Sequence, residues 1–276
     1  METFKSDLSP SEIRQRLEKF RTEARNNIPE PKLAEMLHSI FLEKQGTFPI
    51  RWKQFEKGTL FFRARKLPED DRQIPLNTIA KRSDAWEPPA ESVCSPGRLN
   101  KIGQAVLYTC AGDPMLAIDE ARARDCSYVA LMVYRAKLEI RVAIIGDYLD
   151  SGLPQDAGTA AFYSFLEEEF SQFAEPSDQN RYAITRIIAE SYFTYPEQSA
   201  WCYRSVQSPD LFNTAFLPDE GQKKLELVGV LICNVPNSQE GNLKVVRVVD
   251  FDPDSGLAQF HLIGSERQKK LFPEIS

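Results

Sequence analysis

The spacing of apolar residues near the start of the chain predicts two helices between residues 9 and 45. Ile13, Leu17 and Phe20 follow one another at intervals of four and three, and the serines at positions 9 and 11 are suited to cap the first helix. Pro29 and Pro31 interrupt the pattern. The second helix carries a further apolar stripe, formed by Leu33, Met36, Leu37, Ile40 and Phe41. We expect both stripes to pack in a core, although an amphipathic helix also suits the docking of a partner.

After Gly46 the pattern changes to that of an α+β domain. Residues 59–65 alternate as a strand does, with Leu60, Phe62 and Ala64 on one side and Phe61, Arg63 and Arg65 on the other. Further strands are predicted at 104–110, within 128–145, and at 201–206, 225–235, 243–251 and 257–263. Further helices are predicted at 113–124, 157–173 and 181–193. We therefore predict a helical N-terminal segment over 1–45 and one α+β domain over 46–276.

Composition and charge argue against several classes of protein. A net charge of -6 disfavours direct nucleic-acid binding, which usually needs a basic face. No apolar run approaches the roughly 18 residues of a membrane-spanning helix, and the charged first residues lack the apolar core of a signal peptide. The five cysteines are odd in number and include no CxxC pair. This usage favours reduced thiols in a cytoplasmic protein.

The chain contains only two histidines, His38 and His261. A histidine-based triad or a multi-histidine metal site is hard to build from two such residues, and both are expected to be structural or exposed. The sequence therefore points to chemistry carried by carboxylates, hydroxyls, arginines or thiols, and we expect no bound metal.

Two basic segments suit the recognition of phosphate groups. Arg63 lies on the alternating strand, where a guanidinium on rigid backbone either forks onto a pyrophosphate or simply faces solvent. The loop 95–103 (SPGRLNKIG) combines two glycines with Arg98 and Lys101. Such a loop is able to turn backbone N–H groups and positive charge toward a phosphate, and equally suits an ordinary surface loop. The polar stretch 66–96 precedes it, and loops of that length are uncommon away from functional sites.

Two further segments carry a carboxylate and a hydroxyl. Glu120 lies within the helix predicted at 113–124, where it either takes part in chemistry or pairs with Arg124 at i, i+4 on the surface. Ser205 follows Tyr203 and Arg204 at the end of a predicted strand, where a serine is commonly a turn residue. Each of these segments is a weak signal by itself.

In this order the segments resemble the RES-domain family, which is named for an arginine, a glutamate and a serine. The resemblance is carried by FRAR, by PP followed by GRLNKIGQAVLYT, by DPMLAIDEAR, and by WCYRSV followed by FNTAF. It covers residues 60–216, and the strand at 225–235 belongs to the same region. The family's arginine matches Arg63, its glutamate Glu120 and its serine Ser205. The resemblance also implies substrate-binding roles for Arg98, Asn100, Tyr108, Tyr203 and Asn213.

The sequence departs from the family pattern in three places. KIG stands where PPG or KPG is common, and Ser199-Ala200 stands where a glycine usually precedes the late strand. Residues 1–57 and those after 236 exceed a compact toxin-type member of the family. These differences bear on the biological role more than on the fold.

The fold implied by the resemblance is α+β, with an ADP-ribosyltransferase-like mixed or antiparallel β core, flanking helices and the helical N-terminal segment. The implied reaction is cleavage of the nicotinamide–ribose bond of NAD, which is a substrate here, with no cofactor needed. Glu120 would stabilise the oxocarbenium-like charge on the ribose. Arg63 would hold the pyrophosphate, Ser205 would bond the ribose or the nicotinamide side, and Tyr108 would stack on a ring.

Several alternatives stay open at this point. The acceptor is water in a glycohydrolase, phosphate in a phosphorylase, or a protein in an ADP-ribosyltransferase, and no motif distinguishes these. A non-catalytic nucleotide-binding module is a further alternative, although the intact arginine, glutamate and serine favour an enzyme. The resemblance also implies a toxin paired with a helix-turn-helix antitoxin, and the apolar helical stripes are compatible with a homo-oligomer.

Overall fold

The computed structural model describes residues 8–26, 28–41, 50–68, 78–148, 157–172, 179–195, 198–208, 210–235 and 243–275. Within these ranges the chain forms seven α-helices and ten strands with both parallel and antiparallel pairing, which confirms the α+β class. The helices are α1 (Pro10–Arg25), α2 (Glu30–Phe41), α3 (Pro114–Glu120), α4 (Ala157–Ser171), α5 (Gln179–Tyr192), α6 (Glu220–Lys224) and α7 (Glu266–Leu271). The strands are β1 (Arg51–Phe55), β2 (Leu60–Lys66), β3 (Leu107–Ala111), β4 (Tyr128–Ala136), β5 (Ile140–Ile145), β6 (Ala200–Arg204), β7 (Phe212–Phe216), β8 (Leu225–Asn234), β9 (Lys244–Phe251) and β10 (Ala258–His261).

The chain divides into two compact units, each assembled from separate stretches. Unit 1 comprises Met1–Lys53, Ala90–Ala105 and Arg141–Asp210, and unit 2 comprises Gln54–Pro89, Val106–Ile140 and Leu211–Ser276. Unit 1 contains the two N-terminal helices together with later stretches of the chain, and the predicted division at residue 45 stays a prediction. In the described part of the chain, no helix is both long enough and apolar enough to span a membrane.

Local sequence sets the start of α1 in unit 1. Ser9 Oγ accepts a hydrogen bond from the Glu12 backbone N–H at 3.3 Å, and the Glu12 carboxylate accepts one from the Ser9 N–H at 2.8 Å. This reciprocal pair is a capping box. Pro10 stands in the first turn, where its missing N–H has no intrahelical partner to lose. The helix start predicted near Ser9 is therefore confirmed.

The apolar stripes of α1 and α2 pack inside unit 1. The buried residues are Ile13, Leu17, Phe20 and Ala24 in α1 and Leu33, Leu37, Ile40 and Phe41 in α2. The ring of Phe20 lies edge-on to Phe165 of α4 with 6.0 Å between centroids, and Phe41 lies 4.5 Å from Phe162 of the same helix. These contacts confirm that the stripes form core, although Met36 is only half-buried.

The strands of unit 1 lie in the order β1-β5-β6. β5 and β6 run parallel, with Ala143 opposite Trp201 and Ile145 opposite Tyr203. β6 therefore places Tyr203 inside the unit and leads directly into Ser205.

Unit 2 contains an antiparallel sheet in the order β7-β3-β2-β4-β8-β9-β10. β2 alternates as predicted: Leu60, Phe62 and Ala64 pack in one apolar core with the buried residues of α3. We call this side of the sheet the helix face. Phe61 packs on the other side, with its ring 5.5 Å from that of Phe216. We call that side the arginine face, because the alternation directs Arg63 and Arg65 to it.

The structure corrects several predicted boundaries. The helix predicted at 113–124 ends at Glu120, and the strand predicted at 104–110 begins at Leu107. Nothing in the sequence pattern predicts β1, β7, α6 or α7. Of the polar stretch 66–96, residues 69–77 lie outside the described residues. The described remainder contains two 3₁₀ turns, Arg82–Ala85 and Ala90–Ser92.

Candidate active site

Helix α3 in unit 2 carries Glu120 as its last residue. Asp113 caps the helix start, because its Oδ1 accepts hydrogen bonds from two N–H groups of the first turn at 2.8 and 3.3 Å. Pro114 takes the first helical position. The middle of the helix, 116–118, is buried in the core of unit 2. The predicted cap is confirmed, and Glu120 extends from an anchored element.

A Schellman motif ends α3 directly after Glu120. The Ala123 N–H donates to the Ile118 carbonyl at 3.0 Å, and the Arg122 N–H donates to the Asp119 carbonyl at 2.8 Å. This motif needs one residue in the left-handed conformation, and Arg122 supplies it with φ of 51°. Glycine is the usual occupant of that position. The motif explains why the helix stops four residues before its predicted end.

The free energy of unfolding of Arg122→Gly is expected to exceed that of Arg122→Ala by about 1 kcal/mol, because glycine adopts positive φ without the steric cost of a Cβ. Urea unfolding of the two proteins measures the difference. Arg122→Ala is the matched control, since it removes the same side chain but keeps the Cβ. Equal unfolding midpoints for the glycine and alanine variants would show that the positive φ at position 122 does not strain the backbone.

The carboxylate of Glu120 accepts a hydrogen bond from the side-chain amide of Asn213, with 2.8 Å between Oε1 and Nδ2. Arg124, the i, i+4 partner suggested by the sequence, binds Asp119 instead: Nη2 lies 2.9 Å from Oδ2, and Nε donates to Oδ1. The interpretation of Glu120 as a surface partner of Arg124 is therefore wrong. The helix ends at Glu120, so Arg124 does not lie one helical turn further along the same face, and the i, i+4 pair cannot form.

Strands β3 and β7 bring further predicted residues to the same side. Cys110 of β3 lies opposite Asn213 of β7, and Tyr108 lies opposite Ala215. Opposed residues in antiparallel strands share a face, as do residues two apart in one strand. Cys110 packs in the core with α3, so this side is the helix face. We call Tyr108, Cys110, Glu120 and Asn213 the carboxylate cluster.

Arg63 and Arg65 lie on the arginine face, across the sheet from the carboxylate cluster. Arg63 donates to the main-chain carbonyl of Trp86, and Arg65 Nη1 donates to that of Thr78 at 3.3 Å. Among the described residues, no carboxylate comes within 4.0 Å of a nitrogen of either guanidinium. Burial and the neighbouring charge of Arg63 lower the pKa of Arg65. An anion bound here would relieve this concentration of positive charge.

Arg63 also borders a turn that is held against the sheet. The hydroxyl of Tyr134 donates to the Ala85 carbonyl, and the Tyr134 ring lies 5.1 Å from that of Trp86. Burial raises the pKa of Tyr134 to about 12, although the charge of Arg63 opposes the shift. The solvent-facing interpretation of Arg63 is therefore wrong, because its guanidinium is half-buried and bonded to main chain.

The remaining predicted site residues, Arg98, Asn100, Tyr203 and Ser205, belong to unit 1. Arg98 donates to the main-chain carbonyls of Glu169, Phe170 and Gln172 at 3.0–3.2 Å, and its guanidinium lies 5.7 Å over the Tyr203 ring. The last carbonyls of a helix have no intrahelical partner, and a cation there also interacts favourably with the helix dipole. Arg98 therefore holds the C-terminal end of α4.

Asn100 and Ser205 are buried and bonded to nearby backbone. The Asn100 carbonyl accepts the Gly97 N–H at 3.0 Å, and its side-chain amide donates to the Lys101 carbonyl at 3.2 Å. Ser205 Oγ accepts the N–H groups two and three residues further on, at 3.0 and 3.1 Å. These contacts shape the 95–103 loop and the turn after β6, which agrees with the turn interpretation of Ser205.

An arginine–carboxylate cluster in unit 1 has no signal in the sequence. Asp147 Oδ2 accepts Arg51 Nη1 at 2.5 Å, and Oδ1 accepts Arg204 Nε at 2.9 Å. The partners lie 96 and 57 positions from Asp147 along the chain. The buried carboxylate joins residues at the ends of β1, β5 and β6, so we assign the cluster to the packing of these strands.

Both histidines have structural contacts. His261 Nε2 lies 2.7 Å from Oδ1 of the buried Asp250, and the His38 ring lies edge-on to Tyr192 at 5.8 Å. Within the ranges that the structure describes, no three histidine, cysteine or acidic side chains converge in a way that would hold a metal ion. The five cysteines all lie among the described residues and form no disulfide, and Cys110, Cys202 and Cys233 are buried.

The chain matches no protein-family model, and no curated protein sequence matches it. The resemblance to the RES family therefore rests on the segments quoted above, and the structure adds the environment of each residue. Unit 2 places Tyr108, Glu120 and Asn213 on one face of its sheet and Arg63 on the other, and unit 1 places Arg98 over Tyr203.

Proposed function

We propose that the protein cleaves the nicotinamide–ribose bond of NAD and that Glu120 is the carboxylate facing the ribose. The hydrogen bond from Asn213 to Glu120 carries this proposal. The donor in this hydrogen bond is a neutral amide, and the nearby Arg124 guanidinium binds Asp119. A preorganised anion is what a developing cation on the substrate requires.

The chemistry of the bond makes such a carboxylate useful. As the bond between ribose and nicotinamide breaks, positive charge builds on the ribose carbon and its ring oxygen, as in glycoside hydrolysis. Nicotinamide leaves with the bonding electron pair and needs no proton, because its ring nitrogen is already cationic in NAD. Glu120 therefore acts by charge, and Tyr108, diagonal to Asn213 on the same face, is placed to contact a ring of the ligand.

The finer parts of the proposal rest on the family resemblance. These parts are the ADP-ribosyltransferase-like fold, the pyrophosphate contact of Arg63 and the substrate contacts of Arg98, Asn100, Tyr203 and Ser205. Among the described residues, no carboxylate lies within 4.0 Å of a nitrogen of Arg63 or Arg65, which supports an anion at the arginine face. The sheet separates that face from Glu120, so one NAD molecule would not reach both, and the pyrophosphate contact of Arg63 and the ribose contact of Glu120 are competing assignments. The cellular role of a toxin restrained by a helix-turn-helix antitoxin is proposed from the resemblance alone.

Incubation of the purified protein with NAD tests the proposed reaction. We expect release of nicotinamide, quantified by chromatography, at a rate well above that of a folded Glu120→Gln control. Parallel reactions with and without inorganic phosphate identify the acceptor from the second product. ADP-ribose indicates water, ADP-ribose 1″-phosphate indicates phosphate, and ADP-ribose attached to protein indicates transfer. Nicotinamide release no faster than in the control would exclude the proposal and leave a binding module.

A further inference from the structure

Cys110 completes a chain of three hydrogen-bonded side chains in the carboxylate cluster. Its Sγ lies 3.2 Å from Asn213 Oδ1, and Asn213 Nδ2 lies 2.8 Å from Glu120 Oε1. Cys110 and Asn213 are directly opposed on β3 and β7, and only 3% and 5% of their surfaces are exposed. The thiol therefore contacts the end of the amide that points away from Glu120.

Chemistry fixes the direction of both hydrogen bonds. An ionised carboxylate only accepts, so the amide nitrogen of Asn213 must face Glu120. The amide oxygen then faces Cys110, and the thiol must be the donor. Burial and the nearby carboxylates, that of Glu120 first among them, raise the pKa of Cys110 well above its ordinary value. The thiol thus keeps the proton that it donates.

We propose that Cys110 is a positioning residue for Glu120, acting through the amide of Asn213. A buried carbonyl oxygen that loses its donor is destabilised, which favours any rearrangement that gives it another donor. Such a rearrangement would draw the amide nitrogen away from Glu120, and the carboxylate would lose the hydrogen bond from Asn213. The geometric part of this proposal is independent of the reaction, whereas its kinetic consequence rests on the proposed cleavage of NAD.

Cys110→Ser and Cys110→Ala form a matched pair for the test. Both remove the sulfur and much of its volume, but only serine retains a donor. We expect Cys110→Ala to lower kcat for nicotinamide release about ten-fold with little change in KM, which corresponds to the loss of one hydrogen bond. Cys110→Ser is expected to restore most of that rate. A residue that merely fills space would give the same kcat in both variants.

A second measurement does not depend on turnover. The side-chain amide protons of Asn213, assigned in 15N–1H spectra by their absence from Asn213→Ser, report the bond to Glu120. We expect one proton to be shifted and protected from solvent exchange in the wild type and in Cys110→Ser. In Cys110→Ala the shift and the protection should be lost. If the alanine variant does not fold, Cys110→Thr and Cys110→Val give the same comparison, because they differ by a hydroxyl in place of a methyl.

The two measurements separate the two proposals. In one outcome, the protein releases no nicotinamide while the Asn213 amide signal is kept in Cys110→Ser and lost in Cys110→Ala. That result would support Cys110 as the residue that positions Glu120 and would exclude the proposed reaction. Nicotinamide release with identical kcat and identical amide spectra in the serine and alanine variants would overturn the role of Cys110 and leave the reaction standing.

Discussion

Replacing Glu120 with glutamine is expected to slow nicotinamide release by about 10²–10³ fold while leaving NAD affinity nearly unchanged. The charge that Glu120 faces in our proposal exists mainly in the transition state, so its removal should affect kcat and hardly affect binding. Glutamine also keeps the fold, because its amide oxygen is able to accept the hydrogen bond from Asn213. Single-turnover nicotinamide release measures the rate, and calorimetry with NAD measures the affinity.

Asp125→Asn is the matched control for this variant. Asp125 lies five residues after Glu120 and loses the same charge, but its side chain is exposed to solvent. We expect its kcat to stay within about two-fold of the wild type, since solvent and salt screen an exposed charge. Equal losses of rate in the two variants would show a general effect of negative charge near this helix. Near-normal rates for Glu120→Gln would remove Glu120 from the mechanism.

The parts of the fold that the sequence predicts are those set by local pattern. The buried stripe of α1 follows from spacing near 3.6 residues, and the two faces of β2 follow from alternation with a period of two. Asp113 and Pro114 mark the start of α3 in the same way, because capping chemistry is confined to one turn. Each of these signals lies within a few residues of the feature that it predicts.

The parts of the candidate site that the sequence does not predict depend on distant partners or on unusual backbone. β7 has five residues, and the polar Asn213 and Thr214 hide its strand pattern, yet Asn213 fixes Glu120. Arg122 occupies a left-handed position that usually carries glycine, so the sequence does not predict the end of α3. Arg98 binds backbone carbonyls 71–74 positions away. Every residue has a backbone carbonyl, so the sequence does not indicate which ones Arg98 binds.

The position of Arg63 makes its role a stringent test of the resemblance. Its guanidinium is half-buried beside Arg65 and bonded to the Trp86 carbonyl, on the face of the sheet opposite to Glu120. Two arginines without a carboxylate within 4.0 Å, among the described residues, are suited to an anion such as a pyrophosphate. The same contacts also suit a purely structural role, in which Arg63 holds the 82–86 turn against the sheet.

Arg63→Ala decides between the two assignments, because NAD binding should weaken by about 2–4 kcal/mol if Arg63 holds the pyrophosphate in a largely desolvated contact, and should stay normal if the ribose is bound at Glu120 on the other face. The pyrophosphate carries the same charge before and during the reaction, so kcat at saturating NAD should change little. Calorimetry is best carried out in the Glu120→Gln background, because NAD is then consumed slowly during the titration. The comparison is between Glu120→Gln and the double variant with Arg63→Ala.

Arg63→Lys keeps the positive charge and so controls for charge alone, and Arg65→Ala removes a neighbouring charge and so controls for position. Lysine should recover only part of the affinity, because an ammonium group cannot make the two-pronged contact of a guanidinium. Arg65→Ala removes a charge from the same face two residues away, and we expect a smaller loss of affinity from it. Thermal unfolding of each variant shows how much of any change comes from release of the Trp86 carbonyl. Normal NAD affinity in Arg63→Ala, together with lowered stability, would assign Arg63 to the support of the 82–86 turn and place the phosphate contact elsewhere.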